Sequence, residues 1–151
     1  MVIKPFVFTG TRKPVTDEQL DQMYTIMRRL KDQHGYNRIF HGCAKESDRR
    51  AHLMAVALGL DRELYPSNDE QETWASSQRS GGTTIIYPMR PPLDRNHYML
   101  DRAGTNTRLI AVPHLSVEEI RSGTWATVRY ARMLKRRITI LWPDGRVEEE
   151  Q

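Results

Sequence analysis

Short apolar runs rich in β-branched and aromatic residues alternate in this chain with stretches whose apolar residues recur every three or four positions. The first pattern predicts strands and the second predicts amphipathic helices. Such alternation is typical of a mostly parallel sheet with helices on both faces, since each connection crosses back over the sheet. The sequence therefore predicts one α/β domain over residues 1–145, followed by a charged C-terminal tail at 146–151.

The strand and helix boundaries follow from local signals. Thr16 and Gln19 form a capping box at the start of the first helix. Asp94 is a good cap for a short helix over residues 95–102, and a last helix begins at Gly123. Strands are predicted at residues 6–9, 38–41, 63–66, 109–112 and 138–142.

Residues 67–92 break the alternation. They are polar at first, continue through a Gly-Gly pair and end rich in proline, with one apolar patch at 83–87. A stretch of this length without regular elements is usually functional or mobile. We interpret it as a loop-rich excursion near the ligand face.

Composition narrows the class of protein. A chain of 151 residues is long enough for one domain with a substantial core. Its net charge of +4 suits an anionic ligand, although the same charge also serves solubility alone. With one cysteine, no signal-peptide pattern and no apolar run long enough for a bilayer, we expect a cytoplasmic protein without membrane contact.

Four clusters of residues follow predicted strands or begin predicted helices, where ligands of parallel α/β sheets bind. The first is Gly10, Thr11 and Arg12 after the first strand. Glycine lets the backbone approach a ligand, the amides of this turn could cradle a phosphate, and arginine offers a bidentate contact. The alternative is an ordinary strand-to-helix turn.

The second cluster is the turn from His41 to Asp48. His41 would reach the cleft from the end of its strand, beside Gly42 and Ala44. Asp48 falls in the first helical turn, where it would either cap the helix or bond a ribose hydroxyl. We interpret Cys43 as a small buried apolar residue, because adjacent side chains rarely face each other as a nucleophile and base must.

The other two clusters stand at helix starts. Arg95 and Asn96 would point into the cleft, where arginine suits bidentate binding of phosphate or carboxylate, or Arg95 is a surface side chain of a capped helix. The small residues 122–124, with Thr127 in the next turn, form a helix N-terminus whose amides and dipole favour an anion.

Metal and cofactor signatures are missing from the sequence. The five histidines show no ligand spacing, and one cysteine cannot form a thiolate site. No phosphate-loop signature, dinucleotide-binding glycine pattern or nucleophile elbow is present. We therefore expect neither a metal nor a bound cofactor.

Taken in order, the four clusters resemble the SLOG superfamily, which includes DprA/Smf, the LOG-type phosphoribohydrolases and small YspA/YpsA-like proteins. The match is closest to the YspA-like branch, with Gly-[Ser/Thr]-Arg, His-Gly-x-Ala-x-x-x-Asp, Arg-Asn-x-x-Met and Gly-Thr-x-x-Thr in succession. The matching segments are 10–12, 41–48, 95–99 and 123–127, and the resemblance spans residues 4–142.

The resemblance implies a Rossmann-like fold, a nucleotide-type ligand and, by analogy, a homo-oligomer such as a dimer. It implies phosphate at Gly123 and Thr124, with Arg95 near the ribose. This chain departs from LOG-type enzymes in one respect that concerns catalysis. Those enzymes have a helix glutamate that serves glycosidic cleavage, and this chain has no glutamate at the corresponding residues 125–127. Glu118 or Glu119 could replace it only if the intervening loop folds back.

Three functions remain open at this stage. The first is a binding or sensing module for a ligand of the ADP-ribose, NAD or nucleoside monophosphate class. The second is hydrolysis of an N-glycosidic bond, which needs a carboxylate from among Asp48, Asp94, Glu118 and Glu119. The third is DprA-like binding of single-stranded DNA, which the basic composition favours but the lack of interleaved aromatic residues does not.

The sequence thus gives two sets of candidate site residues. The candidate catalytic residues are Arg95, Asp48 and Glu119. The candidate ligand-binding residues are Gly10, Thr11, Arg12, His41, Gly42, Ala44, Asp48, Arg95, Asn96, Ser122, Gly123, Thr124 and Thr127.

Overall fold

Strands and helices alternate through the part of the chain that this computed structural model describes, which is residues 2–68 and 83–151. The strands are β1 (Pro5–Gly10), β2 (Arg38–His41), β3 (Asp61–Leu64), β4 (Thr84–Ile86), β5 (Arg108–Val112), β6 (Arg137–Leu141) and β7 (Val147–Glu150). The helices are α1 (Asp17–His34), α2 (Ser47–Leu58), α3 (Pro92–Ala103) and α4 (Gly123–Met133).

All the strands join one sheet in the order β4-β3-β2-β1-β5-β6-β7. Neighbouring strands run parallel, except that β7 pairs antiparallel with β6. The chain steps outward from β1 through β2 to β4, then returns to the other side of β1 to form β5. The order therefore reverses between β1 and β5, which confirms the predicted Rossmann-like α/β domain with a mostly parallel sheet.

Alternating side chains of β1 divide the core into two layers. Phe6 and Phe8 pack in one cluster with the buried residues of α1 and α2, whereas Val7 packs in the other with those of α3 and α4. This follows from the two-residue period of a strand, which sends successive side chains to opposite faces. Helices therefore cover both faces, as predicted, and the capping box of Thr16 and Gln19 begins α1.

The prediction was wrong about β3, which spans Asp61–Leu64 rather than 63–66. The strand can begin with polar residues because Arg62 is buried and its guanidinium donates to the carbonyl oxygen of Leu60 and the hydroxyl of Thr84. Thr84 belongs to β4, so the apolar patch placed in an excursion is a strand paired with β3. Residues 69–82 of that excursion lie outside the described part of the chain.

The charged tail is also a strand, because Val147–Glu150 pairs along β6. Its glutamates are held by cations from neighbouring elements: Arg108 contacts Glu149, and Arg132 contacts Glu150. These contacts screen the repulsion within an acidic run that by itself favours a disordered tail.

The helix α3 begins earlier than predicted, at Pro92 with Pro91 as its N-cap residue. Asp94 lies within the first turn and does not cap it, since proline at the first helical position already sets the required backbone angle. Among the described residues, no helix combines the length and apolarity of a membrane span.

Candidate functional site

A pocket of about 460 Å³ opens where the strand order reverses. Its walls come from the end of β1, from the loops after β1, β2 and β5, and from the first turns of α3 and α4. This is the crevice in which parallel α/β sheets bind ligands. The predicted site residues that line it are Gly10, Thr11, Arg12, Gly42, Ala44, Asp48, Arg95, Asn96, Glu119, Ser122, Gly123 and Thr124.

The pocket is strongly cationic. Its lining contains two carboxylates, Asp48 and Glu119, and a larger set of cationic side chains that comprises Arg12, Lys13, Lys45, Arg95 and Arg121. Like charges that face one cavity repel each other more strongly where water is partly excluded. An anion in the pocket would relieve that repulsion.

The start of α4 presents donors without partners to this pocket. Ser122 caps the helix by accepting the amide hydrogen of Trp125. The amides of Gly123 and Thr124 make no hydrogen bond within the described residues, as expected for a first helical turn. The Thr124 hydroxyl likewise has no partner there, although this residue is only 6% exposed.

Gly123 has no structural reason to be glycine within the described chain. A Cβ added at this position would meet no atom within 4 Å, and its backbone carries no positive φ. The missing side chain therefore leaves open space over the helix N-terminus. A ligand could approach the amides closely there.

The amides of the turn after β2 donate to side chains next to the same turn. One oxygen of Asp48, Oδ2, accepts the amide hydrogens of Gly42 and Ala44 at 3.0 and 3.1 Å. The Cys43 amide donates to Nδ1 of His41 at 3.1 Å. The amides of this turn are thus directed into the protein, and Asp48 organises the turn before α2 instead of capping the helix or facing a ribose.

The buried carboxyl of Asp48 is poorly suited to be a general base. Burial raises its pKa to about 6, although the charge of Arg95 and the two amide bonds act in the opposite direction. Its second oxygen, Oδ1, is buried and has no hydrogen-bond partner among the described residues. A base must reach the proton it removes, and this carboxyl is committed to the turn.

Backbone strain accompanies that turn. Cys43 and Glu46 adopt φ values of 61° and 66°, in a region that side chains other than glycine rarely occupy. The thiol of Cys43 is buried, and burial together with the Asp48 carboxylate raises its pKa. The interpretation of Cys43 as a small buried apolar residue is confirmed.

His41, predicted as a ligand contact, is fully buried and does not line the pocket. Its Nδ1 accepts from the Cys43 amide, hence its Nε2 carries the proton and donates to Nδ1 of His52 at 2.9 Å. Burial and the ring of His52 hold the pKa of His41 well below its ordinary value, and burial lowers that of His52 to about 4. The two rings form a neutral buried pair.

Arg95 connects the turn after β2 to α3. Its Nη1 donates to the carbonyl oxygens of Gly42 and Tyr65, the latter at 3.0 Å, and its Nε donates to Oδ1 of Asn96 at 2.7 Å. A Cβ on Gly42 would lie 2.6 Å from the Arg95 Cζ atom, so glycine is required for this approach. Arg95 is therefore a buried structural arginine and not a surface side chain.

Part of that arrangement is still open to a ligand. Nη2 of Arg95 and Nδ2 of Asn96 make no hydrogen bond within the described residues, and both side chains line the pocket. The Arg95 guanidinium lies beside Gly42, and Asn96 is the next residue of α3. They can bond a hydroxyl or an anionic oxygen.

The turn after β1 is likewise committed to internal bonds. The Thr11 amide donates to the carbonyl oxygen of Val112 at 2.9 Å, and its own carbonyl accepts the Ser47 hydroxyl at 2.6 Å. A Cβ on Gly10 would lie 2.7 Å from that of Ser47. The Thr11 amide is therefore not available to cradle a phosphate.

Thr127, also predicted to bind a ligand, does not line the pocket. It is fully buried, and its hydroxyl donates to the carbonyl oxygen of Gly123 at 2.9 Å, one helical turn back. Threonine often bonds the preceding turn in this way. Its role lies within α4.

The loop after β5 folds back over the pocket. Of the carboxylates considered for catalysis, Glu119 lines the cavity, whereas Glu118 is held by Arg129 and Arg132 at 3.1 and 3.0 Å. Asp94 is exposed and is not part of the lining.

Besides apolar lining residues such as Leu93, sequence reasoning missed four exposed polar or cationic residues of the pocket. They lie in loops, where such side chains are usually solvated, and only their positions next to predicted strand and helix ends could have identified them. These residues are Lys13, Lys45, His114 and Arg121.

Within the described ranges, no group of three or more His, Cys, Asp or Glu side chains is arranged to hold a metal ion. Comparisons with protein-family models, with curated proteins and with solved structures found no match to this chain. The geometry of the pocket is therefore the basis on which its function must be argued.

Proposed function

We propose that this protein binds a nucleotide or nucleotide-derived ligand through a phosphate at the start of α4. The observation that carries the proposal is that the Gly123 and Thr124 amides and the Thr124 hydroxyl have no partner among the described residues, with open space at Gly123. Backbone donors at a helix N-terminus, supported by the helix dipole, are suited to a phosphate. The surrounding cations add to this attraction.

The remainder of the pocket fits the rest of a nucleotide. Arg95 and Asn96, which also line the cavity, offer donors for ribose hydroxyls. Leu93 and Met99 supply apolar surface to the same cavity, against which a base could lie. A volume of about 460 Å³ is within the usual range for small-ligand sites.

Binding is favoured over catalysis because Asp48 is committed to the turn after β2. Hydrolysis of an N-glycosidic bond requires a carboxylate that activates water or stabilises the developing positive charge on the sugar. Asp48 uses one oxygen for two amide bonds and buries the other. The principal candidate base from the sequence is therefore occupied.

A second candidate function rests on Glu119. The loop after β5 folds back and brings this carboxylate to the pocket, which is the condition for it to replace the helix glutamate of LOG-type enzymes. In that case water would attack C1′ as Glu119 accepts its proton, and the base would leave.

Calorimetric titration with AMP, ADP-ribose and NAD tests the binding proposal. Thr124→Val removes the unpaired hydroxyl and keeps the side-chain shape, so it should weaken binding about tenfold. Thr127→Val is the matched control on the same helix and should leave the affinity within about twofold, which corresponds to 0.4 kcal/mol. Failure of all three ligands to bind would overturn the proposal.

A matched pair of variants tests the hydrolase candidate. Release of free base from the same ligands is measured for the wild-type protein, for Glu119→Gln and for Glu118→Gln. Catalysis by Glu119 predicts that release is lost in the first variant and kept in the second. Binding without base release would leave the protein as a binding module.

A further inference from the structure

The pocket contains cations that no carboxylate neutralises. Lys13, Lys45 and Arg121 line it, and none of them forms an ion pair with any described residue. Some arginines elsewhere on the sheet and helices are paired, as Arg38 is with Glu63 and Arg132 with Glu150. Exposed cations that share one cavity and have no ion-pair partner among the described residues can bind anions from solution.

These three cations form two separate groups. Lys13 follows β1 and Lys45 follows β2, whereas Arg121 immediately precedes the capped start of α4 after β5. The strand order places β1 between β2 and β5. Two strand spacings of about 4.8 Å therefore separate the loop of Lys45 from that of Arg121, a distance of about 10 Å.

The α4 group is more than a helix terminus. Thr124 is only 6% exposed, lines the cavity and has no partner for its hydroxyl within the described chain. A ligand oxygen in this cavity would give the Thr124 hydroxyl a hydrogen-bond partner. One anion therefore belongs beside Arg121 and Thr124, whereas Lys45 enters the pocket from the opposite side of β1.

We propose that the ligand carries two separate anionic groups, as a nucleoside phosphorylated at both its 5′ and 3′ (or 2′) hydroxyls does. One phosphate binds at Arg121 and the start of α4, and the other binds between Lys13 and Lys45. This proposal rests on the proposed function, because it specifies the ligand class of the same pocket.

A contiguous polyphosphate fits this arrangement less well. Its second phosphate would follow the first directly and stay near α4, where Glu119 also lines the cavity. A ribose between two phosphates spreads the charges across β1. Its remaining hydroxyl could accept from or donate to Asn96, which lines the same cavity.

Calorimetry at fixed ionic strength with AMP, ADP and adenosine 3′,5′-bisphosphate tests the proposal. The bisphosphate should bind at least about tenfold more tightly than AMP, and ADP should stay within about threefold of AMP. Lys45→Gln should remove the advantage of the bisphosphate. Lys31→Gln, which makes the same charge change on the exposed face of α1, should preserve it.

Each outcome is decisive. Equal affinities for AMP and the bisphosphate would overturn the two-anion proposal and leave nucleotide binding intact. ADP binding as tightly as the bisphosphate would overturn it in favour of a contiguous phosphate chain. No binding by any of the three would overturn both this proposal and the proposed function.

Discussion

The turn after β2 and the start of α4 border the same pocket, yet they use their polar groups in opposite ways. In the turn, the amides of Gly42, Cys43 and Ala44 all donate to buried side chains of the protein. At the start of α4, the Gly123 and Thr124 amides donate to nothing in the described chain. A residue that faces a pocket can therefore be either its scaffold or its binding surface, and hydrogen-bond accounting separates the two.

Glycine marks both regions for different reasons. Gly42 is fixed by the Arg95 guanidinium packed against its backbone, whereas Gly123 has open space where a side chain would lie. The first glycine serves folding and the second leaves room for a ligand. Variants that alter stability in one region and affinity in the other would test this distinction.

The largest effect is expected at Asp48. Asp48→Ala leaves two buried amides without an acceptor and should reduce the free energy of unfolding by about 3 kcal/mol. Asp48→Asn keeps an oxygen acceptor and should cost much less, which urea denaturation at pH 7.5 can measure. If both variants were as stable as the wild type, the carboxyl would not organise the turn.

Gly42→Ala should have the next largest effect. The new Cβ would press against the Arg95 guanidinium, whose Cζ lies at 2.6 Å, and overpacking of this kind costs about 2 kcal/mol. The fall in melting temperature measures it. A variant as stable as the wild type would show that Arg95 moves away freely and that the turn is not clamped.

Acidification should destabilise the protein through the His41–His52 pair. Both histidines have folded pKa values below their unfolded values, so unfolding takes up protons and stability falls as pH decreases below about 6.5. Asp48 acts in the opposite direction, because its raised pKa favours folding when it is protonated. The net loss between pH 7.5 and 5.5 should be about 2 kcal/mol.

Urea midpoints across that pH range check the histidine prediction. His52→Asn retains an acceptor for His41 and removes one titrating ring, so the slope should become shallower. An unchanged slope in this variant would assign the pH dependence to other groups.

A smaller effect on stability is expected at Thr127. Thr127→Val removes the hydroxyl that donates to the Gly123 carbonyl oxygen and should cost about 1 kcal/mol. Ligand affinity should not change, because the side chain is buried inside α4. If the variant lost more free energy of binding than free energy of unfolding, Thr127 would have to contact the ligand.

The sequence predicted the fold well because the core depends on local periodicity. Phe6, Phe8 and the apolar stripe of α1 follow patterns that strands and helices must have. The strand β7 escaped prediction because its glutamates are stabilised by Arg108 and Arg132, which are distant in the chain. Long-range ion pairs leave no local pattern.

The sequence predicted the positions of several candidate site residues but not the role of each one. Strand and helix ends located Gly123 and Arg95 at the pocket. The burial of His41 away from the pocket was missed because its partner His52 lies on the following helix, and the sequence does not show that the two rings bond. Lys45 was missed because an exposed lysine in a loop has no distinguishing signal until the cavity it faces is known.

Calorimetry of Gly123→Ala with AMP, together with its melting temperature, tests the central claim most directly. The added methyl group meets no described atom within 4 Å and enters the open space at the first residue of α4. The account predicts a change in the free energy of unfolding below about 0.5 kcal/mol and a loss of affinity of at least about tenfold. A folded variant that binds AMP as tightly as the wild type would contradict phosphate binding at the start of α4.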